Sequence, residues 1–297
     1  MPKPFAPGRS VRPGSVLRLV APSGPFDRRA FERGVAFLEA RYDVRYDDRI
    51  FDEQGYLAGS DARRLGELRD ALNDREADAI VAARGGYGST RLLDALEPAE
   101  VRLAGKRLVG FSDITALHAL WARAGIESLH APMVAWLGSA DEVQRAQWVA
   151  ALEGSYPQLS DLTPISDVDA PARGPLVGGN LAVLAALSGT PYAPPLTGTV
   201  LFLEEVGEAP YRVDRMLTTL DQAGWLARVA GVLVGELVHC QGKHGVSIEA
   251  VIKERLERLD VPVLAGVPSG HGARNRPLPF GRIVELDPLE CAARFIW

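Results

Sequence analysis

A serine stands where a predicted buried strand turns into a predicted helix. Gly-Phe-Ser-Asp-Ile-Thr at residues 110–115 follows the apolar run 107–110 and precedes a helical pattern, which puts Ser112 in a strand-to-helix turn. In α/β proteins such turns lie at the carboxyl edge of the sheet, where ligands bind. The backbone N–H groups of Asp113 and Ile114 then lie at a helix N-terminus, where they favour a developing oxyanion. The turn therefore has the composition that a serine nucleophile needs.

The same turn has a simpler interpretation. Serine and aspartate are common N-caps, so Ser112 and Asp113 can instead cap the helix that follows. The segment also departs from the nucleophile elbow Gly-x-Ser-x-Gly, because Ile114 occupies the second glycine position. The choice between nucleophile and cap depends on the rest of the chain.

A second strand-to-helix turn is rich in glycine. The apolar strand predicted at 79–83 runs into Arg-Gly-Gly-Tyr-Gly at 84–88, where three glycines allow the close approach of another group. The turn lacks the Lys-Ser/Thr of a P-loop and the Gly-x-Gly-x-x-Gly spacing of a dinucleotide site. It is either a tight structural turn or, if Ser112 is a nucleophile, the source of an oxyanion donor from the N–H of Gly85 or Gly86.

Two adjacent carboxylates end another apolar strand. The strand predicted at 199–203 leads into Glu204 and Glu205. Because neighbouring strand residues point to opposite faces, one carboxylate can lie at the site while the other faces solvent. The alternative is a pair of solvated acids that opens a loop.

His271 follows the strand predicted at 261–265, in a loop flanked by glycines. Ser112, Glu204 and His271 thus supply a nucleophile, an acid and a base, each at a strand end. Their order along the chain is that of α/β-hydrolases. Three coincident positions favour a serine hydrolase over three unrelated surface residues.

The other histidines are weaker candidates. His118, on the helix after Ser112, is expected to be packed or exposed rather than catalytic, and His130 is a second possible base. Downstream of the strand predicted at 230–235, a loose cluster of possible metal ligands lacks the Cys-x-x-Cys or His-x-x-x-His pairing of zinc sites. We expect no metal and no cofactor. The cluster is Glu236, His239, Cys240 and His244.

Strands and helices alternate along the chain, which predicts an α/β protein. We expect an N-terminal domain at 1–154 with a doubly wound, mostly parallel sheet that carries Ser112. A Pro-, Ser- and Asp-rich stretch predicts a linker at 155–173. A smaller C-terminal α/β domain at 174–297 would carry the acid and the histidine.

The composition is that of a soluble globular protein. Of 297 residues, 47% are hydrophobic and 24% are charged, and the net charge of -5 argues against nucleic-acid or anionic-membrane partners. The N-terminal segment lacks the apolar stretch of a secretory signal, and no run is long enough to span a membrane. Two cysteines suit a reducing compartment. The expected location is the cytoplasm.

The assembled motifs resemble those of the LD-carboxypeptidase family of serine peptidases. This family includes muramoyltetrapeptide carboxypeptidases and microcin C immunity hydrolases. The motifs run in order through nearly the whole chain: Val-Ala-Pro-Ser-Gly at 20–24, Arg-Gly-Gly-Tyr-Gly at 84–88, Gly-Phe-Ser-Asp-Ile-Thr at 110–115, Gly-Gly-Asn-Leu at 178–181, Leu-Glu-Glu-Val-Gly-Glu at 203–208, Tyr-Arg-Val-Asp-Arg-Met-Leu at 211–217 and Gly-Val-Pro-Ser-Gly-His at 266–271.

The resemblance implies roles for the triad. Ser112 would be the nucleophile, His271 the base and Glu204 the acid that orients it, with Glu205 where an aspartate is common. It also implies two α/β domains, with the serine on the first and the acid and histidine on the second. The oxyanion donors would be the backbone N–H groups of Gly86, or Gly85, and Asp113.

The resemblance further implies a substrate, a murein tetrapeptide whose terminal D-alanine is released in cell-wall recycling. The substrate's terminal carboxylate needs a cation, for which Arg84, Arg212 and Arg215 are candidates, and Tyr87 is a further substrate-binding candidate. A homodimer is also expected. Two alternatives stay open: a microcin C immunity-type hydrolase of peptidyl or aminoacyl nucleotides, and a non-catalytic binder of murein peptides.

Overall fold

The computed structural model describes residues 5–242 and 245–296, which pack into two units. The N-terminal unit comprises residues 6–155 together with 276–279. The C-terminal unit comprises the described residues of 156–275 and 280–296, together with Phe5. The chain therefore returns to the N-terminal unit for four residues near its end.

Strands and α-helices occur in both units. The strands are β1 Val16–Val20, β2 Asp43–Arg45, β3 Ala77–Ala82, β4 Arg107–Gly110, β5 Ser128–His130, β6 Thr163–Pro164, β7 Ala172–Asn180, β8 Val200–Val206, β9 Gly231–Val238, β10 Val263–Ala265, β11 Leu278–Phe280, β12 Ile283–Asp287 and β13 Ala292–Ile296. The α-helices are α1 Arg28–Glu39, α2 Asp61–Asn73, α3 Pro98–Ala104, α4 Thr115–Ala124, α5 Val134–Leu137, α6 Glu142–Leu152, α7 Leu181–Leu187, α8 Pro210–Gln222 and α9 Ile248–Leu256. Short 3-10 helices span Asp48–Phe51, Ser89–Ala95 and Ser112–Ile114.

The sheet of the N-terminal unit confirms the predicted doubly wound arrangement. Its order is β11-β5-β4-β3-β1-β2, and the pairs formed by β1 to β5 are all parallel. The chain runs from β1 to β2 on one side, then crosses to β3 on the other. This reversal is the topological switch point, where open α/β sheets bind ligands at the carboxyl edge. The loops after β1 and β3 meet there, and the Gly24 N–H donates to the Gly85 carbonyl at 3.0 Å.

Local sequence explains the helices that flank this sheet. Asp27 caps α1 by accepting from the Ala30 N–H, and α1 buries Phe31 and Leu38 on one face. The helical segment predicted after the glycine-rich turn is instead the 3-10 helix Ser89–Ala95. Helices α3, α5 and α6 lie outside the elements predicted from the sequence.

The C-terminal unit has a mixed, seven-stranded sheet. Its order is β13-β12-β7-β8-β9-β10-β6, in which the central strands β7 to β10 are parallel. Strand β12 pairs antiparallel with β7 and β13, and β6 pairs antiparallel with β10. Residues of the stretch treated above as a linker thus belong to a sheet edge. The β12–β13 hairpin was not predicted.

Candidate active site

The Ser112 turn has a strained backbone. Ser112 follows β4 and Phe111 and begins the short 3-10 helix that leads into α4. Its φ angle is +62°, in the left-handed region that residues with a Cβ rarely adopt. Such a conformation costs on the order of 1–3 kcal/mol and persists only where surrounding contacts hold it. The turn thus shares the strain of a nucleophile elbow, although Ile114 replaces the second glycine.

Asp113 supplies holding contacts through a buried carboxylate. Its Oδ2 accepts from the Ser23 hydroxyl at 2.6 Å and from the Ser89 backbone N–H at 2.8 Å. The Ser89 hydroxyl donates in turn to the Asp113 carbonyl at 2.5 Å. Asp113 therefore joins the loops that follow β1, β3 and β4. Because α4 has no side-chain cap, the interpretation of Asp113 as the N-cap of its own helix is wrong.

Gly85 lies against the candidate nucleophile. A Cβ built on Gly85 would lie 3.2 Å from Ser112 Oγ and 3.0 Å from its Cβ, so a side chain there would crowd the hydroxyl. Gly86 has a φ of +110°, and a Cβ there would instead approach Gly24. Of the two glycines left open by the sequence, Gly85 is therefore the one packed beside Ser112.

Glu204 and His271 form a hydrogen-bonded pair in the C-terminal unit. His271 Nδ1 lies 2.6 Å from Glu204 Oε2. The Glu204 side chain is fully buried, whereas that of His271 is 17% exposed. A buried carboxylate on Nδ1 favours the tautomer that carries its proton there, which leaves Nε2 as the basic nitrogen. The pair thus has the arrangement of an acid and a base in a hydrolytic triad.

Glu205 has a different role from its neighbour. The expectation that one of the two acids faces solvent is wrong, because Glu205 is only 2% exposed. Its carboxylate accepts from the Asn180 side chain at 3.0 Å and from the N–H groups of Ala182 at 2.7 Å and Val206 at 2.8 Å. Burial raises its pKa. Strand β8 extends through both acids, and an irregularity in its pairing with β9 lies between Leu203 and Glu205. Glu205 thus satisfies donors at the N-terminus of α7.

The two other histidine candidates are buried. His118 Nδ1 lies 2.7 Å from the Ser128 hydroxyl and Nε2 lies 2.9 Å from the Gly110 carbonyl. Burial lowers the pKa of His118 to about 4, so it is neutral at pH 7. His130 has no exposed surface and its ring packs against Phe111. His118 was expected to be either packed or exposed, and it is packed, while the buried position of His130 gives it no access to solvent.

The predicted substrate-binding residues lie at the surfaces of their units. Arg84 is exposed and donates to the Pro25 carbonyl at 2.7 Å. Tyr87 is also exposed, and its ring lies 5.8 Å from that of Tyr56. In the C-terminal unit, Arg212 pairs with Glu208 at 3.3 Å and helps to line a cavity of about 760 Å³. There Arg215 lies over the Tyr211 ring at 5.5 Å.

Three residues that support the site were not singled out from the sequence. Ser23 and Ser89 hold the Asp113 carboxylate, and Asn180 binds Glu205. Each lies in or next to one of the motifs quoted above. Their position near a motif was therefore the only signal in the sequence. Nothing in the sequence showed which carboxylate each of them binds.

Neither metal binding nor a membrane span is indicated within the described chain. Across residues 5–242 and 245–296, His, Cys, Asp and Glu side chains form no group of three arranged to hold a metal ion. Of the loose cluster considered above, His244 lies outside the described residues. Over the same part of the chain, each helix is too short or too polar to cross a bilayer.

Both halves of the chain match models of one protein family. Residues 17–131 match the LD-carboxypeptidase N-terminal domain and residues 173–286 match the LD-carboxypeptidase C-terminal domain. A putative carboxypeptidase of Synechocystis is 36% identical over 97% of this chain and 96% of its own length. The murein tetrapeptide carboxypeptidase of Pseudomonas aeruginosa is 30% identical over 91% of this chain and 92% of its own.

Solved structures show the same two-domain fold. The muramoyltetrapeptide carboxypeptidase of Oxalobacter formigenes superposes with a TM-score of 0.82 at 29% identity, over 95% of this chain and 98% of its own. The microcin C7 self-immunity protein MccF, solved with aspartyl sulfamoyl adenosine, gives a TM-score of 0.86 at 19% identity. That match covers 100% of this chain and 99% of the other. At such low identity the second similarity concerns the fold alone.

Proposed function

We propose that this chain, which belongs to the LD-carboxypeptidase family, is a serine peptidase that releases the terminal D-alanine of murein tetrapeptides. The observation that carries the proposal is the buried Glu204 carboxylate on Nδ1 of His271. A binding protein has no need of a histidine oriented as a base. The strained Ser112 turn and the murein tetrapeptide carboxypeptidase among the relatives are further support.

In the proposed reaction, Nε2 of His271 removes the proton of the Ser112 hydroxyl as its oxygen attacks the scissile carbonyl. Glu204 keeps the imidazole in the productive tautomer and stabilises its charged form. The N–H groups of Gly85 or Gly86 and of Asp113 donate to the oxyanion. His271 then protonates the departing amine of D-alanine, and water releases the tripeptide from Ser112 by the reverse sequence.

Substrate binding requires a cation close to the nucleophile. The terminal carboxylate belongs to the residue directly after the scissile bond, so it lies only a few bonds from the Ser112 oxygen. Among the three arginine candidates, Arg84 directly precedes Gly85, which packs beside Ser112. We therefore favour Arg84 over Arg212 and Arg215 for this carboxylate, with Tyr87 as a neighbouring contact. The proposal places the reaction in cytoplasmic cell-wall recycling by a homodimer.

A second candidate is hydrolysis of a peptidyl or aminoacyl nucleotide. Its support is the fold shared with the self-immunity protein solved with aspartyl sulfamoyl adenosine. The same serine, acid and base would cleave that substrate, because both reactions are acyl transfers. The difference must therefore come from the groups that surround the reacting carbonyl.

The test is D-alanine release from tetrapeptides with diaminopimelate or lysine at the third position. We expect release by the wild type and its collapse in Ser112→Ala, Glu204→Gln and His271→Ala. Cleavage of a peptidyl nucleotide without D-alanine release would support the second candidate. Tetrapeptide binding with no cleavage of either substrate, and no labelling of Ser112 by a serine-directed phosphonate, would make the protein a binder.

A further inference from the structure

The loop that carries His271 is attached to the sheet by two backbone hydrogen bonds. After β10, the Val267 N–H donates to the Val234 carbonyl at 3.1 Å. Two residues later the Ser269 carbonyl accepts from the Glu236 N–H at 3.0 Å. Both attachments are to β9, which lies between β8 and β10 in the sheet. The loop therefore lies across the strand next to the one that carries Glu204.

The Glu236 side chain makes a second attachment on the other side of His271. Its Oε2 accepts from the Gly272 N–H at 2.8 Å. A Cβ built on Gly272 would overlap the Glu236 carboxylate, so a side chain at position 272 would displace the carboxylate from this contact. Glu236 thus forms hydrogen bonds on both sides of His271. Its backbone N–H donates to Ser269, two residues before the histidine, and its carboxylate accepts from Gly272, one residue after it.

Asn275 closes the loop on itself. Its side-chain oxygen accepts from the Gly270 N–H at 3.2 Å and from the Ser269 hydroxyl at 3.3 Å. Asn275 is 4% exposed and Ser269 is fully buried, so these bonds are shielded from water. The segment just before His271 is thus constrained by Asn275, while the N–H just after it relies on Glu236.

We propose that Glu236 is a positioning residue that orients His271 toward Glu204 through the Gly272 N–H. The imidazole hydrogen bond to Glu204 alone leaves the loop backbone free to rotate, and glycines at 270 and 272 make that freedom large. The hydrogen bond from the Gly272 N–H to the side-chain oxygen of Glu236 limits that freedom. This proposal rests on the proposed function for its catalytic meaning, but not for its geometry.

The role needs an acceptor atom at position 236 rather than a negative charge. Glu236→Gln keeps an oxygen within reach of the Gly272 N–H, whereas Glu236→Ala removes it and leaves that N–H without its partner. Gly272→Ala tests the same contact from the other side, because its methyl group would displace the carboxylate. Glu290→Ala, at an exposed turn of the same unit, is the matched control.

The experiment combines kinetics with nuclear magnetic resonance of histidine labelled with ¹⁵N. The chain has five histidines, and His271→Ala assigns the resonances of interest. We expect a single tautomer, with the proton on Nδ1, in the wild type, Glu236→Gln and Glu290→Ala. In Glu236→Ala and Gly272→Ala we expect a mixture of tautomers. With tetrapeptide, these two variants should lose kcat by up to about 100-fold at nearly unchanged KM.

Two results would overturn the positioning role of Glu236. If Glu236→Ala keeps the single His271 tautomer and wild-type kcat, the proposal is wrong. If Glu236→Gln is as impaired as Glu236→Ala, or shifts the pH profile of kcat/KM, charge rather than a hydrogen bond is responsible and the proposal is again overturned. Because the tautomer is read without substrate, it tests Glu236 even if the wild type releases no D-alanine, which would contradict only the proposed function.

Discussion

The Ser112 turn of the N-terminal unit and the His271 loop of the C-terminal unit are held in different ways. Ser112 has a strained backbone, and the next residue, Asp113, binds the loops after two neighbouring strands. His271 instead depends on acceptors that come from elsewhere in the sequence, Glu204 on its ring and Glu236 on its loop. A nucleophile must present one oxygen, which a local turn can do. A base must also keep one ring nitrogen protonated, which requires a carboxylate supplied by another strand.

The largest expected effect tests whether the two regions act together. Ser112→Ala and His271→Ala should each lower kcat for D-alanine release by about 10,000-fold or more. The double variant should be no worse than either single variant, because each already removes the whole nucleophilic step. Single-turnover release of D-alanine measures this. Losses that multiply in the double variant would mean that the two residues do not share a step.

A slightly smaller effect separates the two adjacent acids. Glu204→Gln should lower kcat by about 1,000- to 10,000-fold with little change in stability, because the amide favours the wrong imidazole tautomer. Glu205→Gln should instead lose about 1–3 kcal/mol of unfolding free energy, since one buried acceptor becomes a donor facing N–H groups. Its kcat per folded molecule should hardly change. Urea unfolding and kinetics on the same samples measure both effects. If Glu204→Gln mainly lost stability and Glu205→Gln mainly lost kcat, the two roles would be exchanged.

An intermediate effect tests how Ser112 is held. Asp113→Ala should cost about 2–3 kcal/mol of unfolding free energy, because the Ser89 N–H and the Ser23 hydroxyl lose a buried acceptor. Relaxation of the turn should also slow phosphonate labelling of Ser112. Asp113→Asn, which keeps an acceptor oxygen, is the matched control and should be milder in both measurements. Equal labelling rates in all three proteins would contradict a positioning role for the carboxylate.

The last test concerns pH, has the smallest effect per pH unit, and is confined to the N-terminal unit. Burial lowers the pKa of His118 from 6.5 to about 4, so below pH 6.5 the unfolded chain binds a proton that the folded chain does not. Stability should therefore fall as the pH drops from 6.5 to about 4, with a His118 contribution of about 1.4 kcal/mol per pH unit. His118→Gln should flatten this slope in denaturant titrations. An unchanged slope would show that His118 is not the group responsible.

Much of the fold could be predicted because its signals are local. Apolar runs indicated β3, β4, β8, β9 and β10, and the helical pattern after the Ser112 turn indicated α4. The β12–β13 hairpin was not among the predicted elements. Its antiparallel pairing to β7 joins positions more than a hundred residues apart, and the local pattern of one segment does not identify so distant a partner.

The site divides in the same way. Ser112 and His271 could be proposed as site residues from their positions at strand ends and from the motifs around them. The choice of Glu204 as the acid came only from the family resemblance, because Glu204 and Glu205 are adjacent and chemically equivalent in the sequence; the structure shows Glu204 on the imidazole. In the folded strand β8, Glu204 lies on His271 and Glu205 at the start of α7, next to the pairing irregularity between Leu203 and Glu205.

The sequence by itself thus indicated the α/β class, the family and the candidate reactive side chains, because residue type and local spacing carry that information. The tertiary structure alone decided their partners: Gly85 rather than Gly86 beside Ser112, Asp113 on Ser23 and Ser89, and Glu236 on the loop of His271. Hydrogen bonds to buried carboxylates depend on distances of a few tenths of an ångström between distant segments. Those distances are set only when the strands pair and the helices pack.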